Sequence, residues 1–172
     1  MTIFSIREAA PEDAVPLTDL LNSIISIGGT TAHLFHIDAE RMQREYIKPT
    51  LNISCLVAER KGQIAGFQSL EWSDSEWTGA DCLPSDWAFI ASFVAPDKHG
   101  KGIGKRLFEH TKKRAISSRV NTIDATIRAD NEAGLLYYSS LGFTDYDRII
   151  ASPLADGRLV DRIRKKIRLL PE

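Results

Sequence analysis

The sequence has little cysteine, almost no net charge and no apolar run long enough to span a membrane. Its two cysteines, Cys55 and Cys82, are too few for a disulfide framework and are not spaced with the four histidines as zinc ligands would be. Lysine and arginine (22) nearly balance aspartate and glutamate (23), so the chain lacks the positive field of a nucleic-acid-binding protein. Charges between Arg7 and Asp13 exclude the apolar core of a signal peptide. These absences predict a cytoplasmic protein with no metal, no nucleic-acid partner and no membrane partner.

Apolar residues make up 43% of the 172 positions, enough for one sizeable core, which predicts a single domain over residues 1–172. They recur with strand or helix periodicity in the order β-α-α-β-β-β-α-β-α-β-β. This order predicts an α/β (α+β) fold, with a mixed, mostly antiparallel sheet of about seven strands flanked by about four helices.

Several local patterns sharpen this prediction. Asp13 and Asp38 stand where two helices should begin, as N-caps. Lys61-Gly62 lies between two apolar segments and is typical of a tight hairpin turn. Asp86–Val94 is apolar on both faces, which favours a central strand that is covered on both sides. Arg162–Leu169 alternates apolar residues with Lys and Arg, which favours a protected edge strand.

The segment VAPDKHGKGIGKRLF leads from a predicted strand into a predicted helix and has glycine at Gly100, Gly102 and Gly104. Glycine lets successive backbone N–H groups at a positive helix end approach an anion closely. The P-loop motif does not fit, because Arg106 stands where that motif has Ser or Thr. The dinucleotide fingerprint does not fit either, because the spacing is G-x-G-x-G. The pattern predicts a phosphate site of another kind.

Two segments together resemble the GCN5-related N-acetyltransferase (GNAT) family. HGKGIG, His99–Gly104, resembles the acyl-CoA loop Q/R-x-x-G-x-G/A, with His99 in place of the usual Gln or Arg. NEAGLLYYSSLGF, Asn131–Phe143, resembles the family segment Asn-x-x-Ala-x-x-x-Tyr-x-x-x-Gly-Phe. With the order of elements, the resemblance covers nearly the whole chain and implies acetyl-CoA as the cosubstrate. The alternative is a chance glycine-rich turn before a surface helix.

A weaker resemblance concerns the branch of the family. Leu20–Phe35 is similar to the first helix and loop of the amino-acid and phosphinothricin N-acetyltransferases, through its Thr-Thr-Ala stretch. The same segment also fits a helix that stops at Gly28-Gly29 and continues as a polar loop, so both interpretations stay open.

The family resemblance implies site residues at matching positions. Tyr138 would protonate the departing thiolate, whereas Tyr137 lies about 100° round the helix. Packing against the sheet is the alternative role for either tyrosine. A backbone N–H near Phe93 or Val94 would stabilise the developing oxyanion. The expected acetyl-CoA contacts are Phe93, Val94, His99, Gly100, Lys101, Gly102, Ile103, Gly104, Lys105 and Asn131.

The general base is less clearly indicated. In histone-modifying relatives a glutamate precedes the loop motif by a fixed spacing, and that position is Ala88 here. The nearest carboxylates are Asp86 and Glu71, for which a solvated strand end is the simpler interpretation. A water chain that drains protons from the amine is the third alternative.

We therefore expect an N-acetyltransferase that acts on a small-molecule amine, such as an amino acid or its analogue. Asn22–Phe35 and Ser73–Ser85 should form the two walls of the amine site, with Trp72 or Trp77 against the substrate. The alternatives are a non-catalytic acyl-CoA-binding module and an acetyltransferase for a protein or peptide amine. The resemblance is compatible with a homodimer.

Overall fold

The computed structural model describes residues 4–79 and 81–169, which form one mixed sheet flanked by helices. The strands are β1 (Ser5–Glu8), β2 (Asn52–Arg60), β3 (Gln63–Trp72), β4 (Trp87–Val94), β5 (Thr122–Arg128), β6 (Thr144–Pro153) and β7 (Leu159–Arg168). Their order is β1-β2-β3-β4-β5-β7-β6, and all neighbours are antiparallel except β4 and β5. This arrangement confirms the predicted seven-stranded, mostly antiparallel sheet.

Two pairs of helices cover opposite faces of the sheet. The helices are α1 (Ala14–Ile27), α2 (Ala39–Met42, continued by a π-helical turn at Gln43–Ile47), α3 (Ile103–Ser117) and α4 (Glu132–Ser140). On the α1 face, Leu17 and Leu21 pack with Phe67 in one apolar cluster that includes the α2 region. On the α3 face, Phe108 and Tyr138 pack with sheet residues in a second cluster. Strand side chains alternate between the two faces, so each strand contributes to both.

The local signals at turns and caps mostly give the predicted structure. Lys61 and Gly62 both have positive φ (51° and 77°), as a two-residue hairpin turn between β2 and β3 requires. The Asp38 carboxylate accepts from the Arg41 N–H at 2.8 Å and caps α2. Asp13 differs from the prediction, because its carboxylate makes no cap bond to α1. It accepts instead from the Ala10 N–H and from the Arg7 guanidinium.

Two predictions about strand position need correction. The segment Arg162–Leu169 is not an edge strand: β7 lies between β5 and β6, and β6 forms the edge. Its alternating charges are accommodated by partners on the neighbouring strands, such as Asp145 beside Lys165. β4 is central, as predicted, but its α1 face is only partly covered, since Phe93 packs against the cluster there while Phe89 is 38% exposed. None of the described helices is both long enough and apolar enough to cross a membrane.

Candidate active site

The site lies where β4 and β5 separate. The two strands pair only from Trp87–Phe89 to Thr122–Asp124, and beyond Phe89 they diverge. The resulting cleft has a volume of about 250 Å³ and reaches residues of both sheet faces. Its lining residues are Thr30, Thr31, Ala32, His33, Tyr46, Ile90, Ala91, Ser92, Phe93, Thr126, Ile127, Arg128, Asn131, Gly134, Tyr137, Tyr138 and Arg162.

The register of β4 decides which backbone groups face this cleft. The Ala95 N–H donates to the Ala65 carbonyl at 2.9 Å, and Phe93 pairs with Phe67 two residues earlier. Since main-chain groups alternate in an antiparallel ladder, Phe93 directs its N–H toward β3 and Val94 directs its N–H toward the gap. Of the two predicted oxyanion donors, Val94 therefore has the suitable orientation. The Phe93 side chain stacks on Phe67, with ring centroids 4.9 Å apart.

The glycine loop leaves an open backbone surface in front of α3. Gly100 and Gly102 both have φ of 73°, and a Cβ built on either would meet no atom within 4 Å. α3 begins at Ile103, so the N–H groups of its first turn have no intrahelical acceptor and face the positive end of the helix. This left-handed, side-chain-free turn at a helix start fits an anion such as the pyrophosphate of acetyl-CoA.

The other residues predicted in this loop contribute in different ways. The Ile103 side chain is buried beneath the sheet edge, so only its backbone can contact a ligand. Lys105 is exposed, and the Lys101 Nζ donates to the Asp97 carbonyl at 3.2 Å. The His99 ring contacts the Val94 carbonyl through Nε2 at 3.0 Å and so connects the loop to the end of β4.

Gly104 is a glycine for a different reason. A Cβ at this position would lie 2.7 Å from the Tyr137 ring, which is far inside van der Waals contact. The Tyr137 hydroxyl also donates to the Gly104 carbonyl at 2.9 Å. The last glycine of the motif therefore accommodates α4 against the start of α3, whereas Gly100 and Gly102 leave space for a ligand.

Tyr138 lies at the inner wall of the cleft on the α3 face. It is only 6% exposed, and its hydroxyl lies 2.8 Å from the Ser92 Oγ on β4. The buried Gln68 donates through Nε2 to the Ser92 Oγ (2.7 Å) and to the Tyr137 hydroxyl (3.1 Å). Burial raises the pKa of Tyr138 above its ordinary value, so its phenol stays protonated at neutral pH.

Asn131 has a structural role in the loop before α4. Its Oδ1 accepts from the Gly134 N–H at 3.0 Å and caps the helix. Its Nδ2 donates to the Thr30 carbonyl at 3.0 Å. Both ends of the amide are thus engaged within the protein, and the residue joins α4 to the loop after α1.

The two candidate bases differ in their surroundings. Asp86 is exposed and lines neither the cleft nor the hollow beside it. Glu71 borders that second hollow, of about 480 Å³, which meets the cleft at Tyr46 and Ala91. Burial, with a smaller contribution from the Glu45 charge, raises the pKa of Glu71 to about 7. Ala88, the position of the glutamate in histone-modifying relatives, is fully buried.

Of the two segments predicted as walls of the amine site, one lines the cleft and the other does not. Thr30 and Thr31 line the cleft, as expected of the loop after α1. The described residues of the Ser73–Ser85 loop do not line it. Trp72 packs with the cluster on the α3 face, and Trp77 is 57% exposed and donates to Asp81.

Sequence reasoning missed the polar residues that line the cleft on the α1 face. The His33 Nε2 lies 2.6 Å from the Tyr46 hydroxyl, and burial together with the Arg41 charge lowers the pKa of His33. Arg128 donates to the Thr31 carbonyl at 3.0 Å and pairs with Asp130. These residues come from separate elements, and the spacing of apolar residues in the sequence does not show that they meet. The alternation of side chains along β5 and β7 was the one signal that could have placed Arg128 and Arg162 on the same face of the sheet.

Comparison with known proteins identifies the family. The sequence model of the protein family described as acetyltransferase (GNAT) domain matches residues 52–145, which include β2–β5, the glycine loop and α4. The chain is 26% identical over 140 residues to the L-amino acid N-acyltransferase MnaT of Escherichia coli, covering 81% of this chain and 78% of that protein.

Solved structures share the fold. A phosphinothricin acetyltransferase from Sinorhizobium meliloti, in complex with acetyl-CoA, superposes with a TM-score of 0.82 at 19% identity, covering 98% of this chain and 89% of that one. A ribosomal-protein-alanine N-acetyltransferase from Brucella melitensis gives 0.77 at 23% identity, with coverage of 96% and 99%. Similar folds thus occur in proteins named for small-molecule and for protein substrates. The match to the domain model confirms the expected resemblance: the chain belongs to the GNAT acetyltransferase family, whose acetyl donor is acetyl-CoA.

Proposed function

We propose that the protein transfers an acetyl group from acetyl-CoA to the primary amine of a free amino acid or a close analogue. The observation that carries this proposal is the cleft between β4 and β5. On the α3 face the cleft is lined by Tyr138 and by Tyr137, whose hydroxyl contacts Gly104 at the start of α3, and on the α1 face it is lined by polar residues such as Thr31 and His33. We assign the first side to the cofactor and the second to the acceptor, and call them the cofactor side and the acceptor side. The small volume of the cleft and the likeness to an L-amino acid N-acyltransferase both favour a small acceptor.

We assign the cofactor phosphates to the backbone of Gly100 and Gly102 and to the first turn of α3. Both glycines are open to solvent, and no described side chain crowds them. The Val94 N–H and its neighbours on the free edge of β4 would bond the remainder of acetyl-CoA and the thioester oxygen. The role of Asn131 in this scheme is indirect, since it holds the loop that closes the acceptor side.

Tyr138 is the proposed general acid. The Ser92 Oγ accepts from Gln68 and keeps its own proton, which it can donate to the Tyr138 oxygen. In that arrangement the Tyr138 proton is free to point into the cleft, toward a departing sulfur. Ser92 and Gln68 are therefore positioning residues for Tyr138.

Glu71 is the proposed general base, acting directly or through water. A base works best when its pKa lies near the working pH, and the pKa of Glu71 is about 7. It stands beside the acceptor side of the cleft, opposite Tyr138 across β4. The α-ammonium group of the acceptor must lose its proton before it attacks the thioester, and Glu71 can accept this proton directly or through water.

The proposal is tested by incubating the purified protein with acetyl-CoA and separate pools of amines. The pools are free amino acids with phosphinothricin-like compounds, lysine-containing peptides, peptides with a free N-terminus, polyamines, and aminoglycosides. Release of free thiol and mass spectrometry of the product give the readout. Turnover should be confined largely to the first pool. Turnover of peptides alone would favour a protein acceptor, and cofactor binding without any turnover would favour a non-catalytic module.

A further inference from the structure

We propose that Arg162 binds the carboxylate of the acceptor and thereby makes the enzyme select free amino acids over other primary amines. This inference rests on the proposed function and adds to it a specific anion-binding residue. It is carried by the position of the Arg162 guanidinium in the cleft and by the absence of any partner for it among the described residues.

The position of Arg162 follows from the strand register. It pairs with Arg128 on β5, and Arg164 pairs with Thr126. Ile123, Ala125 and Ile127 of β5 belong to the cluster on the α3 face, so Thr126 and Arg128 project to the opposite face. Arg162 lies beside them and lines the cleft from the acceptor side.

The neighbouring cations on this face all have partners. Arg128 pairs with Asp130 and bonds the Thr31 carbonyl. Arg164 lies 3.5 Å from the buried Asp124 carboxylate and 3.2 Å from Asp147. Lys166 stands over the Trp87 and Tyr146 rings at 5.4 and 5.1 Å. The charges of these three residues are therefore engaged by carboxylates or aromatic rings of the protein, and none of them is available to a ligand.

Arg162 differs from these neighbours. Within residues 4–79 and 81–169 its side chain has no hydrogen bond and no ion pair, and its Nε is shielded from solvent without a partner. The Nε of Arg164 also lacks a hydrogen bond, but that guanidinium is paired with Asp124 and Asp147. An unpaired buried donor costs about 1–3 kcal/mol, more when it is charged. A protein retains such a group where a ligand supplies the missing acceptor, and the fork of a guanidinium fits a carboxylate through two parallel bonds.

The acceptor, rather than acetyl-CoA, is the fitting source of this carboxylate. The phosphates of the cofactor belong at Gly100 and Gly102, before α3 on the other face of the sheet. Arg162 shares its end of the cleft with Thr31 and His33, which come from the loop after α1. A carboxylate held there leaves the α-amine of the same molecule to extend inward toward β4. A decarboxylated amine would leave Arg162 unpaired, and an amino-acid amide would offer it one carbonyl oxygen but no charge.

The experiment measures kcat/KM for one well-used amino acid and for its primary amide, in wild type and in Arg162→Gln. Wild type should prefer the acid, and Arg162→Gln should lose about 30-fold or more on the acid, chiefly through KM, and little on the amide. Arg162→Lys keeps the charge but not the fork and should be intermediate. Arg158→Gln is the matched control, because Arg158 is an exposed residue of the same hairpin and pairs with Asp156 outside the cleft.

Calorimetric titration supplies a readout that does not depend on turnover. Arg162→Gln should bind the N-acetylated amino acid product more weakly and acetyl-CoA as tightly as wild type does. An acid-to-amide ratio that Arg162→Gln and Arg162→Lys leave unchanged, with normal acetyl-CoA binding, overturns the role of Arg162 and leaves the proposed function intact. A wild type that acetylates other amines but no free amino acid overturns both.

Discussion

The two proposed ligand sites are built in different ways. The proposed site for the cofactor phosphates is mostly backbone from one short stretch, where β4 ends and α3 begins, and its fit depends on glycines with positive φ. The acceptor side is made of side chains from the loop after α1, the π-helical turn, β5 and β7. A backbone site suits a ligand that every family member shares, whereas a side-chain site can change with the substrate. The comparison predicts that substitutions on the two sides separate cofactor binding from acceptor use.

The largest expected effect is that of Tyr138→Phe, at the junction of the two sides. Loss of a general acid should lower kcat by about 10² to 10⁴, while calorimetry finds acetyl-CoA affinity nearly unchanged. Tyr137→Phe should behave differently. It removes the bond to Gly104 and should cost about 0.5–1.5 kcal/mol of stability with a small change in kcat. Equal losses of kcat in the two variants would contradict the assignment of Tyr138.

Gly102→Glu should weaken acetyl-CoA binding by about 100-fold or more, because it places a bulky anion where a phosphate approaches backbone. Gly102→Ala separates the effect of backbone strain at positive φ from the effect of a large anionic side chain, since it adds only a methyl group. Gly62→Glu is the matched control: Gly62 also has positive φ and open space, but it lies in the β2–β3 turn. If Gly102→Glu folds and binds acetyl-CoA as wild type does, the phosphates bind elsewhere.

On the acceptor side, Glu71→Gln should lower kcat/KM by about 10²-fold. For wild type, kcat/KM should rise with pH through about 7, the pKa of Glu71, and this rise should be absent from the variant. The measurement is a pH profile of thiol release at saturating acetyl-CoA. A profile that Glu71→Gln leaves unchanged would favour proton transfer through water alone.

The same pKa shift predicts that the stability of the fold falls with rising pH, whereas kcat/KM rises. Burial raises the pKa of Glu71 from 4.5 in the unfolded chain to about 7, so between these values the folded state binds more protons. The contribution of Glu71 to stability therefore falls as the pH rises from about 4.5 to about 7 and is constant above. Glu71→Gln should melt at a higher temperature than wild type above pH 7, and the difference should shrink toward pH 4.5. A Tm difference that does not vary with pH would contradict this.

The smallest effect distinguishes the glycines of one motif. Gly104→Ala should cost about 1–3 kcal/mol of stability, because its methyl group meets the Tyr137 ring, and it should weaken acetyl-CoA binding much less than Gly102→Glu does. Urea unfolding of Gly104→Ala, Tyr137→Leu and the double variant tests the contact. The double variant should lose less than the sum of the single losses, whereas strict additivity would show that the ring is not the obstacle.

Features that depend on neighbouring residues could be predicted from the sequence alone. The period of apolar residues, the caps and the Lys61-Gly62 turn specify the order of elements, because helix, strand and turn propensities act over a few positions. The glycine loop and the Asn131–Phe143 segment could be identified for the same reason, because each motif is a contiguous stretch of the sequence.

How distant segments meet could not be predicted in this way, because it depends on the packing of the whole fold. The placement of β7 inside the sheet depends on which strands pair. The alternating charges of Arg162–Leu169 fit an edge strand and an interior strand equally well, and an interior position also needs partners such as Asp124 on the neighbouring strand. The raised pKa of Glu71 depends on burial by elements far along the chain. Gly104 is required by the ring of Tyr137, which is 33 residues away in the chain. The Arg162 side chain is unpaired because the carboxylates near it pair with other cations. Local sequence thus fixed the elements and the cofactor loop, whereas the acceptor side arises from long-range packing, which no local pattern encodes.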